Sequence, residues 1–352
     1  MSCKRKVNIM AVKKKRKRFK TKVVIIFDLI LLLLVVSVGY YFWKASKMQV
    51  DKSGDSSIVT NNPDNEDMEG YRNIAVFGVD SRDNSVKQGT HSDTIVIVSI
   101  NNKTKDVKLA SIYRDTYSKI PDEDNAFNKI NAAYFRGGYP LALNTINTNF
   151  DLDVKEYVTV NFKAVTEVID LLGGISLDIT KEELKYVNGY TKELNKINGT
   201  NVGKLKSAGT QVVNGTHATA YARIRYTKGD DFKRAERQRI VIQKIFEKAK
   251  TADLITINSI LDKILPMIQT NLDSAKLLLL AKDIMSYDIV DETGFPFDKR
   301  AFTYHKVSYV FPVDLVANVT QLHQFLFETT DYAPSDKVKE ISAELKQITD
   351  NN

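Results

Sequence analysis

The chain has 352 residues, 43% hydrophobic and 27% charged, which suits one or two globular domains with a real core. Its formal charge is +8, yet residues 1–22 hold eleven Lys/Arg and no acid; removing those from the 51 basic side chains leaves 40 against 43 acidic ones, so the basicity belongs to a short tail and no nucleic-acid partner is expected. The single cysteine, Cys3, lies in that tail, which excludes a disulfide framework or a cysteine-bound zinc from the rest.

In chain order, 1–22 reads as a cytoplasmic basic tail and 23–43 as a transmembrane helix. Val23–Trp43 (VVIIFDLILLLLVVSVGYYFW) is long enough, at about 1.5 Å per residue, to cross a hydrocarbon core of roughly 30 Å. Tyr40 to Trp43 form an aromatic belt at one end and the basic cluster lies at the other. The positive-inside rule therefore predicts a single-pass anchor in the cell membrane, with a cytoplasmic N-terminus and an extracellular remainder. A cleaved signal peptide would have a shorter apolar region and an A-x-A-like site, and neither is present. Asp28 reads as an interfacial carboxylate paired with a basic neighbour.

Residues 44–70, rich in Asp, Asn, Ser and Glu, read as a flexible extracellular stalk, 71–330 as the folded extracellular domain and 331–352 as a polar tail. Within the domain, 73–79 (NIAVFGV), 94–100 (TIVIVSI) and 107–112 are predicted strands, the last two a hairpin through the turn NNKTKD. Helices follow at 128–135 and 141–150, separated by Gly137-Gly138 and Pro140, then a strand at 153–160, a helix at 162–172 stopped by Gly173-Gly174, and a strand at 175–179. The polar stretch 181–205 carries no clear period. Helices are predicted at 216–222, 232–250, 254–265, 274–287 and 314–327, with a strand near 307–311. Strands interleaved with helices indicate an α/β (α+β) fold, a mixed central sheet covered by helices.

Two clusters carry candidate chemistry. Asp80 follows the first strand and Asp93 precedes the second; if the two are antiparallel, both carboxylates sit at one mouth of the sheet, where the third strand also delivers Arg114 and Asp115. Carboxylates beside arginines suit a hard cation such as Mg²⁺ together with a phosphate, or simply an acidic loop with structural ion pairs. The second cluster is 221–226 (YARIRY) followed by 229–238 (GDDFKRAERQ). Arg223 and Arg225 share a side if extended, and Arg234, Arg237 and Gln238 share a helical face, so several cations can converge on one anion. The plainer reading is a solvated helix paired with Asp230, Asp231 and Glu236.

The stretches NIAVFGVDSR, HSDTIVIVSIN, SIYRDTY, KINAAYFRGG, LDVKEYVTVNF, LLGGISLDI, GTQVVNG, AYARIRY and DFKRAERQ occur in this order over roughly 71–250. Together they resemble the successive motifs of the LytR–CpsA–Psr proteins. That resemblance implies an enzyme, a phosphotransferase that moves a glycopolymer such as teichoic acid or capsular polysaccharide from a polyprenyl pyrophosphate carrier to peptidoglycan. Asp80 and Asp93 match the family's Mg²⁺-associated aspartates, and Arg82, Arg114, Arg223, Arg225, Arg234 and Gln238 match positions that contact the pyrophosphate. An apolar tunnel for the lipid is also implied; Val165, Val168, Ile169 and Leu172 suit either its lining or plain core packing. The chain departs from the family at His91-Ser92-Asp93-Thr94, where Arg-Ser-Asp-Thr is common, so His91 is a phosphate contact only when protonated. A peptidoglycan hydroxyl is expected to attack the sugar-linked phosphorus, with Asp93 or Asp115 as base. Water as acceptor would give a pyrophosphatase. A non-catalytic carrier-binding module and a membrane-bound regulator are the other readings, the last disfavoured by a cytoplasmic part of about 22 residues.

Overall fold

The computed structural model describes residues 49–61, 66–79, 89–227 and 229–350. The expected basic tail and membrane anchor, and the site residues Asp80 and Arg82, lie outside the described residues. Among the described residues, no helix is long and apolar enough to cross a membrane.

The chain from Gln49 onward forms one unit. A short strand β1 (Gln49–Val50) precedes the long hairpin strands β2 (Tyr71–Val79), β3 (Ser92–Asn101) and β4 (Asp106–Ile112). Next come β5 (Tyr117–Lys119), β6 (Phe127–Lys129), α1 (Asn131–Phe150), β7 (Glu156–Asn161), α2 (Phe162–Leu171) and β8 (Ile175–Ile179). They are followed by α3 (Lys181–Asn198), β9 (Gly209–Val213), α4 (Gly215–Ala222), α5 (Asp230–Lys250), α6 (Leu254–Ile264), β10 (Gln269–Thr270) and α7 (Ser274–Lys282). The chain closes with β11 (Asp288–Phe295), β12 (Lys299–Tyr304), β13 (Val307–Pro312), α8 (Leu315–Phe327) and α9 (Asp336–Asp350).

Seven strands form a mixed sheet in the order β1-β10-β7-β2-β3-β4-β11. The β3–β4 pair is antiparallel, as the turn NNKTKD predicts, and so is β2–β3, the condition on which one shared mouth depended, whereas β7 and β11 run parallel to β2 and β4. Alternation along the strands sends Ala75, Phe77, Ile95, Ile97 and Ala110 to one face, where they pack with α1, α8 and α9. It sends Ile74, Val76, Val96, Val98 and Leu109 to the other, under α5 and α7. A satellite core forms where α2, α3, α4 and α5 enclose the β8–β9 ribbon. Ile169 is fully buried in it and Val165 packs against it, so these two are core residues.

Two expectations are corrected, and one unassigned stretch is resolved. The stretch from Gln49 is not a flexible stalk: β1 pairs with β10, Gly54 N donates to the Tyr139 hydroxyl, and Asn61 reaches Asp151. Polar composition concealed this, because the segment is held by hydrogen bonds rather than an apolar face. Nor is 331–352 only a tail. In α9, Val338, Ile341 and Leu345 recur at helical spacing and are buried against α1 and α8. Asp151 joins both ends of the unit, accepting from Asn61 Nδ2 (2.6 Å), the Tyr332 hydroxyl (2.8 Å), Ser335 N (2.7 Å) and Ser335 Oγ (2.6 Å). The unassigned stretch 181–205 is mostly helix α3, started by a capping box between Thr180 and Glu183 and stopped at left-handed Gly199. The break at Gly137-Gly138 appears as a bend inside α1, where Gly138 leaves helical geometry.

Candidate functional site

The sheet edge formed by the ends of β2, β4 and β7 and the start of β3 carries the polar centre. Opposite Gly78 and Val79 of β2 lie Thr94 and Ser92 of β3, so Asp93 is the extra residue of a β-bulge. The bulge removes Asp93 from the ladder and aims its carboxylate at the mouth. Gly78 is required beside it: a Cβ there would meet the Thr94 side chain at 2.8 Å. Arg114 follows β4 and closes on Asp93 Oδ1 through Nη1 at 2.5 Å.

The second cluster arrives from α4 and α5. Gly215 lets the first turn of α4 lie on α2, since a Cβ would stand 2.1 Å from the Thr166 carbonyl oxygen. Arg223, at the end of α4, lies over the rings of Phe162 (5.3 Å) and Tyr190 (5.5 Å), and its Nη2 pairs with Glu193 at 3.2 Å. Arg225 Nη2 holds Asp93 Oδ2 at 2.9 Å. In the first turn of α5, Arg234 Nη2 pairs with Asp231 at 2.9 Å and reaches the Asp93 carbonyl oxygen at 3.4 Å. Asp231 also pairs with Arg114 Nε at 3.2 Å, and Asp115 with Lys129 Nζ at 2.7 Å. These groups line a cleft of about 630 Å³ and, behind it, a recess of about 150 Å³ that includes Arg234, Gln238, Phe162 and Tyr226.

Electrostatics follow from this crowding. Burial alone raises the Asp93 carboxyl, but Arg114, Arg234 and Arg225 outweigh it and hold its pKa below the usual carboxylate value. Arg234 is 3% exposed, and burial, together with Arg114 and Arg225, pushes its pKa down to about 10, so it stays charged at neutral pH. Its Nε and Nη1 are buried without a hydrogen-bond partner among the described residues. A buried cationic N–H left unmatched is costly, and an anion in the recess would satisfy it.

Of the expected residues, the structure brings together Asp93, Arg114, Asp115, Arg223, Arg225, Arg234, Gln238 and His91. Arg237 is the exception. It turns into the satellite core, where Nε pairs with Glu183 at 2.8 Å and Nη2 donates to Thr227 Oγ1. Helical spacing put it beside Arg234, but a buried carboxylate on α3 claims it. His91 stands at the outer rim, stacked on Phe135. Lys129, Asn131 and Glu193 were missed as cleft groups, and Asp231 as the carboxylate that pairs with Arg114. Asp231 was legible only as a partner within its helix, and Glu193 lies on the helix that carried no period.

Mg²⁺ requires oxygen ligands, usually one or two carboxylates with phosphate oxygens. Each Asp93 oxygen meets one guanidinium nitrogen and so keeps an open lone pair toward the cleft, which fits that donor chemistry. Among the described residues no group of three or more His/Cys/Asp/Glu is arranged to hold a metal.

Fold and site define an α/β protein with an arginine–aspartate cleft at one edge of a mixed sheet. The chain belongs to the LytR–CpsA–Psr family, whose model matches residues 35–321. It is similar to the polyisoprenyl-teichoic acid–peptidoglycan teichoic acid transferase TagU of Enterococcus faecalis, 28% identical over 268 residues, 72% of this chain and 81% of that protein. It also matches Biofilm regulatory protein A of Streptococcus mutans, 30% identical over 209 residues, 57% of this chain, and spans about half (50%) of that relative's length. The structure of YwtF (TagT) with bound octaprenyl pyrophosphate lipid shares the fold at a TM-score of 0.52 and 22% identity, covering 80% of this chain and 91% of that one.

Proposed function

We propose that this protein transfers a glycopolymer from a polyprenyl pyrophosphate carrier to peptidoglycan, outside the cytoplasmic membrane in which 23–43 anchors it. The observation that carries this reading is Arg234: a buried guanidinium with two unmatched nitrogens, beside a cleft where Arg114, Arg223 and Arg225 converge. That arrangement suits a doubly phosphorylated ligand. Two named relatives support the choice, TagU as a teichoic acid transferase and TagT as a protein that holds octaprenyl pyrophosphate. Val76, Val98 and Val158, packed with Ile242, Phe246 and Leu280, are incompletely buried and form the apolar surface we assign to the prenyl chain.

In this reading Arg82, Arg114, Arg223, Arg225, Arg234 and Gln238 bind the pyrophosphate. Asp93, with Asp80, would hold Mg²⁺, which supplies further neutralisation of the phosphate oxygens. An acceptor hydroxyl attacks the sugar-linked phosphorus, the bond to the bridging oxygen breaks, and polyprenyl phosphate leaves. The hydroxyl proton goes to Asp115. Guanidinium groups meet both Asp93 oxygens and hold its pKa down, whereas Asp115 is paired through Oδ1 to Lys129 and keeps Oδ2, 3.7 Å from Arg114 Nε, without a hydrogen bond from Arg114.

The test uses the full-length chain in detergent with Mg²⁺, a labelled polyprenyl-pyrophosphate glycan and peptidoglycan. Label is expected in the peptidoglycan and polyprenyl phosphate in the lipid fraction, both lost in Asp93→Ala. Polyprenyl phosphate with free glycan and no labelled peptidoglycan would replace the transferase reading by a pyrophosphatase. A reporter active only outside the cell, fused after Asn352, should be active; a stable but inactive fusion would reject the topology.

A further inference from the structure

The outer part of the cleft holds groups that the reaction above does not use. His91 is exposed, and its imidazole lies flat on the Phe135 ring, with centroids 4.5 Å apart and planes inclined by 8°. Phe135, near the start of α1, is 43% exposed, although rings of this size are ordinarily turned inward. Beside the pair the cleft presents Asn131, Glu193, Ile197 and Lys129. The His91 ring, backed by Phe135, thus meets an amide, a carboxylate and an ammonium at an open rim next to the arginine–aspartate centre.

We infer that the stacked His91–Phe135 pair is a platform for a pyranose ring. One face of such a ring is a patch of C–H bonds, polarised to meet the electron-rich face of an aromatic. Its edge carries hydroxyls that donate to Glu193 and the Asn131 carbonyl and accept from Lys129. A second anionic group would not suit this rim, because Glu193 faces it. Glu193 and Lys129, already paired with Arg223 and Asp115, keep further acceptor and donor capacity that a purely apolar ligand would not use. The cleft volume of about 630 Å³ accommodates sugar units beside a phosphate. This inference rests on the proposed function and adds to it: the sugar comes from the carrier-linked polymer or from the acceptor glycan.

The experiment titrates the full-length chain in detergent with three probes: bare polyprenyl pyrophosphate, the same carrier bearing N-acetylglucosamine, and a soluble N-acetylglucosamine oligosaccharide. Phe135→Ala is expected to weaken one of the sugar-bearing probes about fivefold and to leave the bare carrier unchanged. Loss confined to the glycosylated carrier assigns the platform to the donor, and loss with the oligosaccharide assigns it to the acceptor. Phe135→Tyr keeps a ring and should restore binding. Unchanged affinity for both sugar probes overturns the inference, as does equal weakening of all three. If the wild type does not bind the bare carrier, the functional reading fails, and the oligosaccharide arm alone still decides the platform.

Discussion

The two faces of the central sheet are built from the same β-branched strands and end differently. On the face under α1, α8 and α9, Phe77, Ile97 and Ala110 are each 0% exposed, and packing is complete. On the opposite face Val76, Val98 and Val158 remain only partly covered. The nearby α6 has no buried side chain despite six Leu/Ile residues, and Leu254 and Ile255 at its start are exposed. The contrast is local: Val96 (0%) and Leu109 (1%) on the second face are as buried as the first, while Val76, Val98 and Val158 beside them stay partly exposed.

The comparison breaks most easily at Phe77. Phe77→Ala should cost about 3–5 kcal/mol in urea unfolding, the usual penalty for emptying a closed aromatic site. If the loss is no larger than that of Val98→Ala, the faces do not differ.

Acid tests the closed face next. His323 is fully buried, stacked on Tyr332 at 3.6 Å, and burial pushes its pKa down to about 4 against a partial opposing pull from the Phe150 carbonyl and Asp151. The fold favours neutral imidazole, so between the ordinary imidazole value of 6.5 and about 4 the unfolded chain binds more protons. Stability should therefore fall as pH drops through that window, by on the order of 3 kcal/mol from this group. His323→Gln should flatten the pH dependence of the urea midpoint relative to wild type, and parallel curves would remove His323 as the cause.

At the edge between the faces, Arg234→Ala should weaken polyprenyl pyrophosphate by about 1.5–3 kcal/mol in calorimetry while leaving stability unchanged or slightly raised. A large stability loss with unchanged affinity would make Arg234 a structural residue. The smallest stability change, about 1 kcal/mol or less, is expected for Val98→Phe at a partly exposed position, whereas Ile97→Phe on the same strand should show the cost of overpacking, about 1–3 kcal/mol. Val98→Phe should nonetheless impair binding of the prenyl-linked ligand.

Much of this was legible in the sequence, for identifiable reasons. The hairpin geometry that carried Asp93, Arg114 and Asp115 to one mouth follows from strand direction, which turn chemistry reveals. The bulge at Asp93 does not, because it depends on the pairing partner. The start of α3 was written in Thr180 and Glu183, and the apolar spacing of α9 in Val338, Ile341 and Leu345, but polar composition outweighed both signals. Arg237 was beyond reach: its side of α5 is chosen by Glu183, a contact across 54 positions. The site was readable where chemistry and local direction coincide, and hidden where tertiary contacts divide similar residues between cleft and core.

The Asp151 clasp governs how shortened forms of this protein should be read. A chain trimmed to 71–330 would retain all the expected site residues but lose Asn61, Tyr332 and Ser335, the donors that satisfy that carboxylate. Asp151 is 2% exposed, and stripping a buried carboxylate of its partners costs several kcal/mol. The same cut removes α9 and opens the closed face. Inactivity of such a fragment would report a sprung clasp rather than failed chemistry, and a fragment that begins at Gln49 and keeps α9 is the smallest whose silence would be informative.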